Sequence, residues 1–185
     1  MRIITRRSSL RAAPLAALIG AAVLAHSQAL TAPEVPEALR TLAGEQVVLR
    51  AHATGVQIYV CGKAPDGKSQ WILKAPDAEL FDDKGAVIGH HSAGPAWRHK
   101  DGSEVTGKAM ARSESPDADS IPWLLVSATG HTGNGVLGRV TSIQRIHTVG
   151  GEPPAAATCD PVKRKGKEAR VPYRADYYFY APGGN

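Results

Sequence analysis

Four side chains close together in the chain, His91, Trp97, His99 and Glu104, are of types that bind ligands or carry protons, with His90 beside them. Their spacing matters because two turn signals, Gly94-Pro95 and Asp101-Gly102, fall between them. If Asp101-Gly102 is a two-residue hairpin turn, His99 lies directly across from Glu104. A two-residue Gly94-Pro95 turn then puts His90 opposite His99. A three-residue Ala93-Gly94-Pro95 loop instead puts His91 opposite Trp97 and diagonal to His99. Opposed side chains have Cβ atoms about 4.5–5.5 Å apart. Either register gathers one of the paired histidines with Trp97, His99 and Glu104 on one sheet face, while the other points away.

Two imidazoles and a carboxylate on one face suit zinc, copper or iron with open coordination positions, the ligands being His91, His99 and Glu104, or His90 in the alternative register. The same groups suit general acid–base work near neutral pH. The plainer reading is a polar outer face on which Trp97 covers apolar neighbours and His99 pairs with Glu104. Aromatic residues supply a second chemistry. Trp71, Trp97, Trp123 and the run Tyr177-Tyr178-Phe179-Tyr180 are candidate platforms for sugars or planar ligands. Of these, Trp123, Tyr177 and Phe179 are expected in the core, and Trp97, beside a turn and flanked by charge, at the surface. No G-x-S-x-G elbow is present, and no Ser or Cys is placed as a nucleophile. The face carrying His91, Trp97, His99 and Glu104 is therefore read as the site of a binding or surface-associated module for a small molecule or carbohydrate. A metal-dependent hydrolase or oxidoreductase on that face is the alternative.

The elements that must position these residues read as β. Pro33 to Gly44 has the marks of a short helix, with Pro36 at a first helical position and Gly44 at the C-terminal cap. After it, Val47, Leu49, Ala51 and Ala53 alternate with Val48, Arg50 and His52. Thr54-Gly55 interrupts the run, and Val56, Ile58 and Val60 then alternate with Gln57, Tyr59 and Cys61, which predicts a hairpin. Further strands are expected at 71–75, 86–91, 96–99, 105–111, 123–129, 139–148 and through Val171–Phe179. Pro65-Asp66-Gly67, Lys84-Gly85, Asn134-Gly135 and Gly150-Gly151 mark turns, and Ser113–Ser120 and Gly150–Arg170 are long loops. Lys163-Arg164-Lys165-Gly166-Lys167 in the second loop reads as a solvated stretch. The fold class is all-β and mostly antiparallel, a β-sandwich or small β-barrel with a short N-terminal helix and two long loops.

The N-terminus carries Arg2, Arg6, Arg7 and Arg11 and then an apolar stretch from Ala12 to Ala25, the layout of a secretory signal. Thr5-Arg6-Arg7-Ser8-Ser9-Leu10-Arg11 is similar to a twin-arginine signal and is equally consistent with an ordinary one. Residues 1–27 are read as signal peptide and 28–185 as a single exported domain, periplasmic or extracellular, without a transmembrane span. Removing the four arginines from 22 basic residues leaves 18 against 17 acidic, so the basicity carries no indication of nucleic-acid binding. Cys61 and Cys159 are the two cysteines, and in an oxidising compartment they are expected to form a disulfide.

Several blocks carry a resemblance. They are Gly55-Val56-Gln57-Ile58-Tyr59-Val60-Cys61, Gly89-His90-His91-Ser92-Ala93-Gly94-Pro95-Ala96-Trp97 with Asp101-Gly102-Ser103, Ile121-Pro122-Trp123-Leu124-Leu125, and Val140-Thr141-Ser142-Ile143-Gln144-Arg145. Together they resemble a family of exported bacterial and fungal proteins known only as a domain of unknown function. The family pattern Gly-x-His-x-x-Gly-Pro-x-Trp favours His91 over His90 as the site histidine. Some fungal members bear the label malate dehydrogenase, and Gly133-Asn134-Gly135-Val136-Leu137-Gly138 does match the dinucleotide fingerprint G-x-G-x-x-G. A β-branched segment follows it where a helix is required, so Asn134-Gly135 reads as a hairpin turn and no NAD site is expected.

Overall fold

The computed structural model describes residues 30–160, 162–163 and 166–184. The export signal read in residues 1–27 lies outside them, as do Arg164 and Lys165 of the basic stretch. Eight antiparallel strands follow in chain order: β1 Glu45–Lys63, β2 Ser69–Phe81, β3 Val87–Ser92, β4 Ala96–His99, β5 Glu104–Ser113, β6 Trp123–Thr132, β7 Ser142–Gly150 and β8 Glu168–Pro182. Each strand pairs with the next, and β1 pairs with β8, closing an up-and-down barrel. Closure leaves no unpaired edge at the two ends of the sheet, and it selects the barrel over the sandwich. An eight-stranded barrel is just wide enough inside for side chains to fill it or for one small ligand.

The hairpin expected at Thr54-Gly55 is absent, because β1 runs unbroken through both residues. Gly55 is needed there for closeness rather than for a turn. A Cβ at this position would lie 2.2 Å from the Asp77 carbonyl oxygen of β2. Side-chain alternation therefore carries straight on from Ala51 and Ala53 to Gln57, which is buried. The N-terminal helix shrinks to one 3-10 turn, Glu37–Leu39. Its Leu39 side chain packs outside the barrel against Trp123, Ile146, Tyr178 and Tyr180, and its carbonyl accepts from Gln144 Nε2 at 2.7 Å. Leu42, which would share the helix face with Leu39, is exposed, so no apolar stripe is left to reward a longer helix.

The main core is the barrel interior, with Leu80, Ile88, Trp97, Val105, Ile143, Tyr177 and Phe179 among its buried residues. One end is plugged by the 133–140 connection, whose Leu137 and Val140 are fully buried. At the other end Cys61 and Cys159 form a disulfide with their Cα atoms 5.3 Å apart. Trp71 and Tyr59 pack against it, and Trp71 Nε1 donates to Thr158 Oγ1 at 3.0 Å, so the loop between β7 and β8 is fastened to β1 and β2. Among the described residues, no helix is long and apolar enough to cross a membrane.

Candidate functional site

The β3–β4 hairpin is short, and this shapes the site. Its three-residue loop, Ala93-Gly94-Pro95, pairs Ser92 with Ala96 and His91 with Trp97. Pairing of β2 with β3 begins only at Ala78, and pairing of β4 with β5 stops at Thr106. The wall is therefore split between β2 and β5 beyond this hairpin. A cavity of about 330 Å³ lies behind the split, with Leu73, Ala93, Gly94 and Ala109 as its exposed rim. Pro76, Leu124 and Val126 line it with apolar surface, and Gln57, Lys74, His91, Trp97, Arg145 and Tyr177 supply its polar groups.

His91 and Trp97 stack inside the barrel with ring centroids 4.4 Å apart and planes 7° from parallel. Tyr177 meets both rings edge-on, at 5.1 Å from His91 and 5.6 Å from Trp97. His91 Nδ1 lies 2.9 Å from the Ala96 carbonyl oxygen. A carbonyl only accepts, so Nδ1 carries the proton and Nε2 is left as an acceptor. Burial pushes the His91 pKa down to about 3, with the Arg145 charge adding to the effect, so the ring is neutral at physiological pH. Burial likewise raises Tyr177 and keeps its phenol protonated. The Gln57 amide, Trp97 Nε1 and the Tyr177 hydroxyl are buried without a hydrogen-bond partner among the described residues. Such groups are rare in native interiors because each has lost its water.

The expected cluster divides. His91 and Trp97 come together, in the register that the three-residue loop predicts, but Trp97 is 1% exposed and is no surface platform. The β4–β5 turn is one residue longer than expected, so Glu104 pairs with Arg98 instead of facing His99. Glu104 Oε2 there accepts from Arg98 Nε at 2.9 Å. His99 lies towards the plugged end, its Nδ1 3.0 Å from Asp101 Oδ2. His90 points outward, its Nε2 2.9 Å from Asp77 Oδ1. The ligand set His91, His99 and Glu104 is thus not assembled, and no group of three or more His, Cys, Asp or Glu is placed to hold a metal ion among the described residues.

Gln57, Lys74 and Arg145 escaped the sequence reading of the site, and Tyr177, named there among the aromatic candidates, was assigned to the core. The signal for two of them is parity. Gln57 is in phase with Ala51 and Ala53, and Arg145 stands two residues after the core Ile143, so each is a polar residue at an inward position.

Residues 42–181 match the family DUF3455, described as a protein of unknown function, which covers most of the chain. The chain belongs to the DUF3455 family. No curated protein and no solved structure matches it. In this DUF3455 protein the fingerprint-like glycines serve the barrel plug. The amide of Val136 donates to Asp101 Oδ2 at 2.8 Å, and a Cβ on Gly135 would fall 2.2 Å from that carboxylate. The loop thus closes around the protein's own anion, and no helix follows it.

Proposed function

We propose that this DUF3455 protein is an exported binding module that takes one small organic molecule into the barrel through the split between β2 and β5. The carrying observation is the set of buried, unpartnered polar atoms on Gln57, Trp97 and Tyr177, three residues that line one cavity. A ligand entering there would cover apolar surface and supply the missing partners, the usual economy of small-molecule sites. The volume of about 330 Å³ suits a compact body of one or two rings more than a sugar chain. Export is supported by the basic-then-apolar N-terminus and by the Cys61–Cys159 disulfide, which belongs in an oxidising compartment.

Titration with neutral 2-naphthamide, followed by NMR, tests this reading. The Trp97 indole N–H and the Gln57 side-chain amide should shift saturably at one ligand per chain, with Trp123 unmoved. Ala109→Trp, which narrows the exposed rim, should weaken binding at least tenfold. Resonances that stay fixed, or that move equally in Ala109→Trp, would overturn the proposal.

A further inference from the structure

The polar groups of the cavity include both donors and acceptors, and two of its lining residues, Lys74 and Arg145, are cations. Arg145 pairs with Leu124 on one side and Tyr177 on the other, so the register of β6, β7 and β8 holds it at the cavity wall. Its Nε and Nη2 both donate to the Pro122 carbonyl oxygen, at 3.2 and 2.8 Å. That oxygen fixes the plane of the guanidinium without neutralising it. Arg145 makes no ion pair among the described residues.

The other ionisable groups of the cavity wall do not neutralise this cation. Lys74, also on the cavity wall, is paired with Glu168. His91 is neutral and buried, and the field of Arg145 reaches it as well as Tyr173 and Tyr177. The Arg145 guanidinium is half-buried at the cavity wall, and its planar fork matches a carboxylate with two parallel hydrogen bonds. The Tyr177 hydroxyl and Trp97 Nε1 are further unpartnered donors on the same wall.

We infer that the ligand is a small organic carboxylate, its anionic group received by Arg145 and its apolar body lying among Pro76, Leu124 and Val126. The inference rests on the cavity being the binding site, and it adds the chemical class of what the cavity takes.

A matched pair of probes, 2-naphthoate and 2-naphthamide, separates the two statements because the pair differs in charge and hardly in shape. The wild-type protein should bind 2-naphthoate at least tenfold more tightly than 2-naphthamide, as expected when a charged hydrogen-bonded pair replaces a neutral one. Arg145→Gln should remove that preference, weakening 2-naphthoate at least tenfold and 2-naphthamide by much less. In wild-type protein the Arg145 Nε–H resonance should move with 2-naphthoate and stay still with 2-naphthamide, a measurement that stands even where Arg145→Gln fails to fold. Equal affinities for the two probes, or an Arg145 resonance unmoved by bound 2-naphthoate, would overturn the carboxylate assignment while leaving the cavity as a binding site. Binding of neither probe would remove the site itself.

Discussion

His91 shows how burial converts a titratable residue into a fixed polar one. Stacked on Trp97 and donating to Ala96, its ring gains packing and one hydrogen bond, and burial outweighs the pull of that bond towards the charged form. In the unfolded chain it would titrate near the ordinary value of about 6.5, whereas in the barrel burial holds it at about 3. Because the folded pKa is the lower one, this group's stability contribution is complete above about pH 6.5 and is lost progressively as the pH falls towards 3. Replacing it with phenylalanine keeps an aromatic partner for Trp97 and removes the proton. Denaturant unfolding at pH 7 and pH 5 should show His91→Phe gaining about 2 kcal/mol relative to wild type over that interval. An unchanged difference would mean that His91 binds its proton equally well in both states.

The β4–β5 turn is the element that fixes the plugged end. Asp101 Oδ1 accepts from the amide and the hydroxyl of Ser103, at 2.8 and 2.6 Å, and Ser103 Oγ accepts from the Leu137 amide at 3.1 Å. With the bond from Val136, a single carboxylate joins this turn to the 133–138 loop and sets Leu137 in the barrel mouth. The Ser103 hydroxyl and the two amides stabilise the charged form and hold the Asp101 pKa well below the usual carboxylate range, so its contribution is lost only in strong acid. Asp101→Ala should cost about 1–3 kcal/mol and speed amide exchange at Val136 and Leu137. It should leave exchange at Trp97 Nε1, near the other end, unchanged below the global unfolding limit. Equal acceleration at both ends would argue that the turn is no local clasp.

For the whole molecule, the disulfide matters most through chain topology. It links residues 98 apart in sequence and anchors the loop between β7 and β8 beside the cavity end of the barrel. Closing so long a loop restricts the unfolded chain, worth roughly 4–5 kcal/mol in the entropic account. The Cys61→Ser/Cys159→Ser double variant should lower denaturant stability by about that amount. Its far-ultraviolet spectrum at low temperature should still be that of the β barrel. A loss below about 1 kcal/mol would show that the reduced chain is already held compact.

Local sequence settled what local chemistry controls. Alternation and turn residues determined an all-β chain and most strand positions; they left two lengths for the turn at Gly94-Pro95, and the three-residue one sets His91 across from Trp97. The two cysteines likewise left a single intramolecular pairing. Registers that depend on a turn's length by one residue were not legible, which is why Glu104 moved from His99 to Arg98. The turn read into Thr54-Gly55 hid the parity of β1, because a glycine required for close approach to β2 has the same local signature as one required to turn. The site was hidden for a broader reason. Gln57, Arg145 and Tyr177 stand on β1, β7 and β8; Arg145 and Tyr177 meet through β7–β8 pairing, but Gln57 joins them only because β1 closes on β8. Closure follows from the twist of the whole sheet, a property that no local segment of the chain encodes.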